Sequence, residues 1–192
     1  SEGFKTIASG FASHAEGKNT ESSGANSHGE GSNTVAVGSN SHAEGISTKA
    51  SGYASHAEGQ GTVASYQTSH AEGQETVASG GSSHAEGYRT KASGHNSHTE
   101  GNNTTALSSS AHAEGRYTIA SSDNQHVQGK YNITNADYAH IVGWGTSDTN
   151  RKNIHVIDTN GTAWFQGDIY TGSTSGTNKD SGSKKLESTG NK

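Results

Sequence analysis

The sequence has no cysteine, no proline and no methionine. Lack of cysteine excludes a disulfide framework, a thiolate metal site and a cysteine nucleophile. Lack of methionine, even at position 1, leads us to expect a processed or excised piece of a longer product. Large apolar side chains are scarce too: Leu, Ile, Val and Phe together supply 20 of 192 residues. That is too little apolar area to offset chain entropy through an ordinary globular core. No run of 18 apolar residues occurs, so no membrane insertion is expected. A net charge of −5 and a pI near 6.1 provide no broad basic footprint, so nucleic acid is not an expected partner. Disorder is not the default either, because charged residues are only 16% and proline is absent. What the chain does have in excess is glycine, at 27, and histidine, at 12.

Both excesses belong to a repeat. The string SHAEG begins at Ser13, Ser41, Ser55, Ser69 and Ser83, with variants at Ser27 (SHGEG), Ser97 (SHTEG) and Ala111 (AHAEG). Weaker copies start at Gln125 (QHVQG) and Ala139 (AHIVG), and Ser1-Glu2-Gly3 is the tail of another. All share one fourteen-residue register. The unit reads S-H-A-E-G-x-x-T-x-A-S-G-x-x, whose positions are slots one to fourteen below. Slot two holds His14, His28, His42, His56, His70, His84, His98, His112, His126 and His140. Slot four holds Glu2, Glu16, Glu30, Glu44, Glu58, Glu72, Glu86, Glu100 and Glu114, then Gln128 and Val142. Glycine occupies slot five from Gly3 to Gly143, and only His95 and His155 fall outside the histidine column.

Fourteen residues are too few for a helical repeat or a leucine-rich repeat. They suffice for two short strands and two tight turns, one coil of a flattened β-solenoid. The expected strands are S-H-A-E-G and T-x-A-S-G. Alternation aims Ala at slots three and ten into the coil, and so thin a roll admits only small side chains. Recurrent glycine is expected to end the strands and permit positive φ in the turns. About ten coils at roughly 4.8 Å each form a rod about 50 Å long.

His at slot two and Glu at slot four share the outer face of the first strand. Slot nine, outward on the second, drifts through Ile7, Glu21, Val35, Lys49, Val63, Val77, Lys91 and Thr105. The constancy of the first face points to a contact between identical chains; the alternative is a solvated ladder of alternating charge. Catalysis has weaker support, because an active site is singular and His-x-Glu recurs in most coils. Adjacent Ser13 and His14 point to opposite faces, so they are no nucleophile–base pair. Asp158 and Asp168 read as turn or ladder residues, and Lys184-Lys185 as part of a solvated tail.

The strand Asn33-Thr34-Val35-Ala36-Val37-Gly38, together with the SHAEG strands, resembles the N-S-V-A-I-G hallmark of the head domains of trimeric autotransporter adhesins. That resemblance implies a homotrimeric, left-handed parallel β-roll. In that family the Val and Ile slots line the trimer contact, which implies the same role for His and Glu. The trimer-core set is then His14, Glu16, His28, Glu30, His42, Glu44, His56, Glu58, His70, Glu72, His84, Glu86, His98, Glu100, His112, Glu114, His126 and His140. Unpaired carboxylates on a three-fold axis are costly to desolvate, so His⁺ and Glu⁻ are expected to pair across chains. Pairing would raise His and lower Glu pKa values on assembly. A six-coordinate axial metal layer of His and Glu is a lesser possibility; no metal or other cofactor is assigned.

Asn153–Asp158, a Thr-Asn-Gly turn and Thr162–Tyr170 read as a β-hairpin. The NGTAWFQGDIY segment resembles the junction in tail fibres and appendages of bacteriophages of Gram-positive bacteria. There a self-cleaving chaperone domain commonly follows such a hairpin. The expected layout is a β-roll shaft over 1–146, a hairpin junction over 147–171 and a flexible polar tail over 172–192. The leading function is a virion fibre that projects towards or binds a bacterial surface glycan or other receptor. A bacterial cell-surface adhesin head is one alternative, and a depolymerase with inter-chain carboxylates is another. Receptor contacts are expected at exposed aromatics: Phe4, Phe11, Tyr53, Tyr66, Tyr88 and Trp144.

Overall fold

A computed structural model describes residues 1–167, 170–171 and 184–185. Among them every regular element is a β-strand. Two sheets stack the coils, one of thirteen strands and one of nine. Pairing in the roll is parallel and strictly fourteen residues apart, as in His42↔His56, Glu44↔Glu58 and Ala50↔Ala64. The chain is thus the expected parallel β-solenoid. Each early coil supplies a five-residue strand such as His42–Ile46 to the first sheet. Its contribution to the second is only two residues, such as Lys49–Ala50, where five were expected.

The coil is two near-copies of one half. Serine at slot one and threonine at slot eight are buried, as are alanine at slots three and ten. Non-glycine residues at slots seven and fourteen take the left-handed conformation: Asn33 has φ 57° and Asn40 has φ 57°. Asparagine, frequent at both slots, adopts that region more readily than most residues. Asn33-Thr34-Val35-Ala36-Val37-Gly38 and Asn40-Ser41-His42-Ala43-Glu44-Gly45 are therefore the same half-coil motif on opposite sheets.

Glycine is required for two different reasons. At slot five, Gly59 has φ 103°, and a Cβ there would collide with the carbonyl oxygen of Gly73 one coil on. At slot twelve φ is not positive, contrary to expectation. There a Cβ on Gly38 would collide with the Gly52 carbonyl, so close approach of coils alone excludes a side chain.

The core is a stack of fully buried alanines from Ala36 to Ala120. Pattern reading missed its polar half. Ser41 Oγ donates to Gly38 O at 2.6 Å and Ser27 Oγ to Gly24 O at 2.8 Å, and the motif repeats along the roll. The Thr34 hydroxyl donates to Thr20 at 3.2 Å, whereas those of Thr48, Thr62, Thr76, Thr90 and Thr104 have no partner.

The roll closes asymmetrically. The second sheet ends at Ile119–Ala120, so no second-sheet strand accompanies the last stretch of the expected 1–146 shaft. Two side chains cover its open edge: Asn132 accepts from Ile119 N and donates to Ile119 O, and Gln125 accepts from Ser121 N. Both imitate a further coil's backbone and satisfy groups that would otherwise offer a template for another chain. The first sheet continues through Tyr138–Trp144, parallel to His126–Lys130, and then turns antiparallel through Asn153–Asp158 and Ala163–Phe165. The hairpin's second strand stops at Phe165, short of the expected Tyr170, and Tyr170–Thr171 pairs instead with Lys184–Lys185. Asp158 is the turn residue expected, accepting from Asn160 N and Thr162 N. Asp168 and the rest of the expected 172–192 tail lie outside the described residues.

The thinness of this core sets a measurable asymmetry. Ala64→Leu should destabilise by about 3 kcal/mol, because a close-packed coil has nowhere to put three more carbons. Thr76→Val removes a buried hydroxyl without a partner and should be neutral or stabilising by up to about 1 kcal/mol. Urea unfolding of both variants checks the pair.

Candidate functional site

Because slot two recurs every coil, the fold stacks the histidines directly. Ring centroids from His14 to His126 lie 4.7–5.0 Å apart, with interplanar angles of 20° or less. The column then tilts: His140 sits 5.2 Å from His126 at 34°. It does not stop there. His155, outside the period in sequence, is carried onto the column by the antiparallel strand, edge-on to His140 at 5.3 Å. Phe165 completes it, stacked on His155 at 4.3 Å. The signal for both lay in strand register, which a search confined to the period does not read.

The glutamates form a second column beside the first. Within one coil His56 Nε2 lies 3.5 Å from Glu58 Oε2, and the same pair in the coils of His28, His42, His70 and His84 spans 3.6–3.9 Å. These side chains are about one-third exposed, 34% for His56 and 36% for Glu58. Nevertheless, the Nε2 atoms of His28, His42, His56, His70, His84, His98, His112 and His126 are shielded from solvent and have no hydrogen-bond partner. Those of His28, His42, His56, His70 and His84 are turned towards the carboxylate of their own coil, and that of His126 towards Glu114 of the preceding coil, all beyond good hydrogen-bond distance.

Stacking also sets the electrostatics. In the single chain His56, His84, His112 and His140 are held below the ordinary histidine value, first by burial and then by the histidines above and below. Glu86 is raised to about 7 by burial and by hydrogen bonds shared with Glu100 and Glu72. Glu100 is lowered by its hydrogen bonds to Glu114 and Glu86. In the free chain these four histidines therefore start from the opposite side to that expected on assembly, favouring the neutral form.

The column also brings His-Glu-His sets together, such as His56, Glu58 and His70, with ligand atoms within 4.8 Å of one another. The fit to a metal is poor. Two nitrogens on one zinc-like ion at about 2.0–2.1 Å from it would lie about 3.3 Å apart. Rings stacked 4.8 Å apart with near-parallel planes aim their lone pairs alongside one another rather than at a common point. For catalysis, the raised Glu86 beside the lowered Glu100 is one step in a ladder of similar carboxylates and not an isolated acid–base pair. Ser13 points away from His14 and donates to Gly10 O at 2.8 Å.

The aromatic residues proposed as contacts do not converge. Phe4, Tyr88 and Trp144 occupy slot six on one turn edge; Phe11 and Tyr53 at slot thirteen and Tyr66 at slot twelve lie on the other. Phe11 is the most exposed, at 83%. Tyr88 and Trp144 carry cations over their faces, Arg89 at 4.9 Å and Lys130 at 4.5 Å. Pattern reading also missed a polar hollow beside Tyr66, lined by Gln67, Ser79, Gly81, Ser93 and His95.

The YadA head domain repeat matches this chain in two copies, over residues 30–48, 71–90 and 92–107. All three stretches lie within the roll, and the first contains one half-coil motif from each sheet. No curated protein matches the chain. The protein is thus a β-roll of repeats similar to those of the YadA head.

The histidine ladder has a testable acid response. A histidine held low in the fold binds its proton more readily when unfolded, so its contribution is present above the ordinary value of 6.5 and fades as pH falls through it. Glu86 acts in the reverse sense, with a contribution lost as pH rises through about 7. The two effects oppose each other, so Glu86→Gln, which removes the carboxylate's contribution, should leave a chain that loses stability as pH falls from 7.5 to 5. Urea unfolding across that range checks the slope, His56 should titrate below 6.5 by NMR, and EDTA should leave both unchanged.

Proposed function

We propose that this chain is the shaft of a homotrimeric adhesive fibre whose His/Glu face lines the contact between chains. The observation that supports it best is the row of shielded imidazole nitrogens without partners. An unsatisfied polar group of this kind costs about 1–3 kcal/mol when buried, and eight in register are the pattern an inter-chain surface leaves on a single chain. Glutamates from a neighbouring chain would supply the acceptors, neutralise imidazolium and fix axial register.

The half-coil symmetry makes the second sheet a rival contact face, since slots nine and eleven of Asn33–Gly38 carry Val35 and Val37 in the hallmark positions. Its chemistry is inconsistent along the rod: slot nine holds Lys49, Lys91 and Glu21 among the valines, and slot eleven is mostly serine. A three-fold axis brings three copies of one side chain together in each layer, so Lys49, Lys91 and Glu21 would each meet two like charges there, whereas slots two and four pair a base with an acid in most coils.

The fibre is read as a phage tail fibre or appendage that reaches the bacterial host surface, on the resemblance of NGTAWFQGDIY to such junctions and the continuation of the first sheet into a hairpin. A bacterial surface adhesin head is the second reading, favoured by the match to the YadA head repeat. In both readings the roll is a binding scaffold with no catalytic role.

Assembly reverses the acid response of the free chain. Paired with carboxylates across the axis, the column histidines would be raised, so their contribution is present below 6.5 and lost as pH rises through the new value. Sedimentation equilibrium should find a trimer at pH 6.5 that weakens by pH 9. Glu58→Lys with Glu72→Lys should yield monomers by placing like charges on the axis. A monomer at every pH, or a trimer indifferent to pH and to both substitutions, overturns the His/Glu contact.

A further inference from the structure

One departure from the repeat and two residues of the variable slot thirteen fall together on one turn edge. Slot twelve is glycine at Gly38, Gly52, Gly80 and Gly94 and the small serine at Ser108 and Ser122, yet the bulky Tyr66 holds it in the coil between Gly52 and Gly80. The backbone changes with it: the amides of Gly52 and Gly80 donate to the next coil's alanine carbonyl, whereas the Tyr66 amide donates to Ser69 Oγ at 3.2 Å. One coil on, slot thirteen is reduced to Gly81; the next coil fills that slot with His95. His95 Nδ1 lies 2.6 Å from Gly81 O, which fixes its ring over that glycine. A Cβ on Gly81 would stand 2.9 Å from His95 Nδ1 and 3.2 Å from the Tyr66 ring, so both rings wall the space a side chain would occupy.

The result is a hollow of about 430 Å³ with Gly81 as its floor, and Gln67, Ser79 and Ser93 as its polar rim. Volumes of this order accommodate small ligands. No Asp, Glu, Lys or Arg lines it, so nothing there would compensate a charged ligand. What it offers is an aromatic face more than half exposed, one amide, two hydroxyls and an imidazole whose Nδ1 is already engaged. A pyranose ring has the complementary surface: an apolar C–H face to lie on Tyr66, and a rim of hydroxyls for groups that both donate and accept.

The geometry points to a neutral-saccharide subsite around Gly81, walled by Tyr66 and His95. This rests on the adhesive reading above and gives it a ligand class. One hollow per chain places three on a trimer, so a weak site near a Kd of about 1 mM gains avidity on a polyvalent surface.

Titrating the full chain with glucose, galactose, N-acetylglucosamine and short oligomers of each, followed by amide NMR, tests it. At least one probe should shift Tyr66, Gln67, Gly81 and His95 together. Tyr66→Ala should weaken that probe at least tenfold, and Gly81→Val should abolish it, with far-UV circular dichroism unchanged for both. No shifts with any neutral probe, or equal affinity in both variants, overturns the subsite. Binding confined to charged glycans and abolished by salt overturns it as well. Whole-cell binding separates the two readings: bacteria that hold Tyr66→Ala as well as wild type overturn only the subsite, whereas bacteria that never hold the wild-type fibre overturn the adhesive function beneath it.

Discussion

Every residue of this roll must tolerate a neighbour from the same slot less than 5 Å above and below, and the rest of the structure follows from that constraint. The inter-coil spacing is set by backbone hydrogen bonds between parallel strands, and side chains accommodate to it. At slot five the accommodation is total, because the carbonyl of the next coil occupies the place of a Cβ and every copy is glycine. At slot twelve the same clash excludes a side chain at Gly38, and from Gly10 to Ser122 the chain departs from glycine only at Tyr66, Ser108 and Ser122. At slots three and ten alanine fills the interior without strain, and threonine at slot eight adds a methyl with a hydroxyl. A core this thin gains little apolar area per residue, and the backbone ladder running the length of the rod carries a correspondingly larger share of the order.

On the outer face the same constraint becomes electrostatic. A histidine column protonated throughout would place like charges about 4.8 Å apart, and an ionised glutamate column would do the same beside it. Neutral imidazoles and shared carboxyl protons relieve the free chain, which is why burial and like neighbours lower His56, His84, His112 and His140 and raise Glu86. The relief is incomplete, because the Nε2 atoms of His28, His42, His56, His70 and His84 stay 3.5 Å or more from the carboxylate of their own coil. A partner chain would convert two self-repelling columns into one mutually neutralising set. The contact proposed here thus answers a problem created by the repeat, and needs no specificity beyond the repeat itself.

The period, the inward alanines and the constant His/Glu face were all legible in the sequence because each depends on slot identity alone. What was not legible depends on geometry between slots. The distinct demands on Gly38 and Gly59 differ only in where the next coil's carbonyl falls. The half-coil symmetry hides behind the different chemistry of Val35 and His42, and shows once Asn33 and Asn40 share one backbone conformation. His155 joins the histidine column through an antiparallel strand whose register has no fourteen-residue signature. The Tyr66 hollow arises from a glycine one coil away and a histidine two coils away, residues with no pattern in common.

Departures from the repeat separate by where they point. Inside the roll they compensate in volume: Ser22 replaces alanine at slot ten, and slot three of the next coil is Gly29, where a Cβ would approach Ser22 Oγ to 2.8 Å and Thr20 Cγ2 to 2.9 Å. At the open end they substitute for missing backbone, as Asn132 does for Ile119. Both kinds are explained by the fold. Tyr66, Gly81 and His95 are not: they leave the interior untouched, the Tyr66 amide turns from the next coil to Ser69, and the three border a hollow on the turn edge. In a repeat whose inner slots recur from coil to coil, outward residues that make one turn unlike its neighbours are where binding specificity can reside.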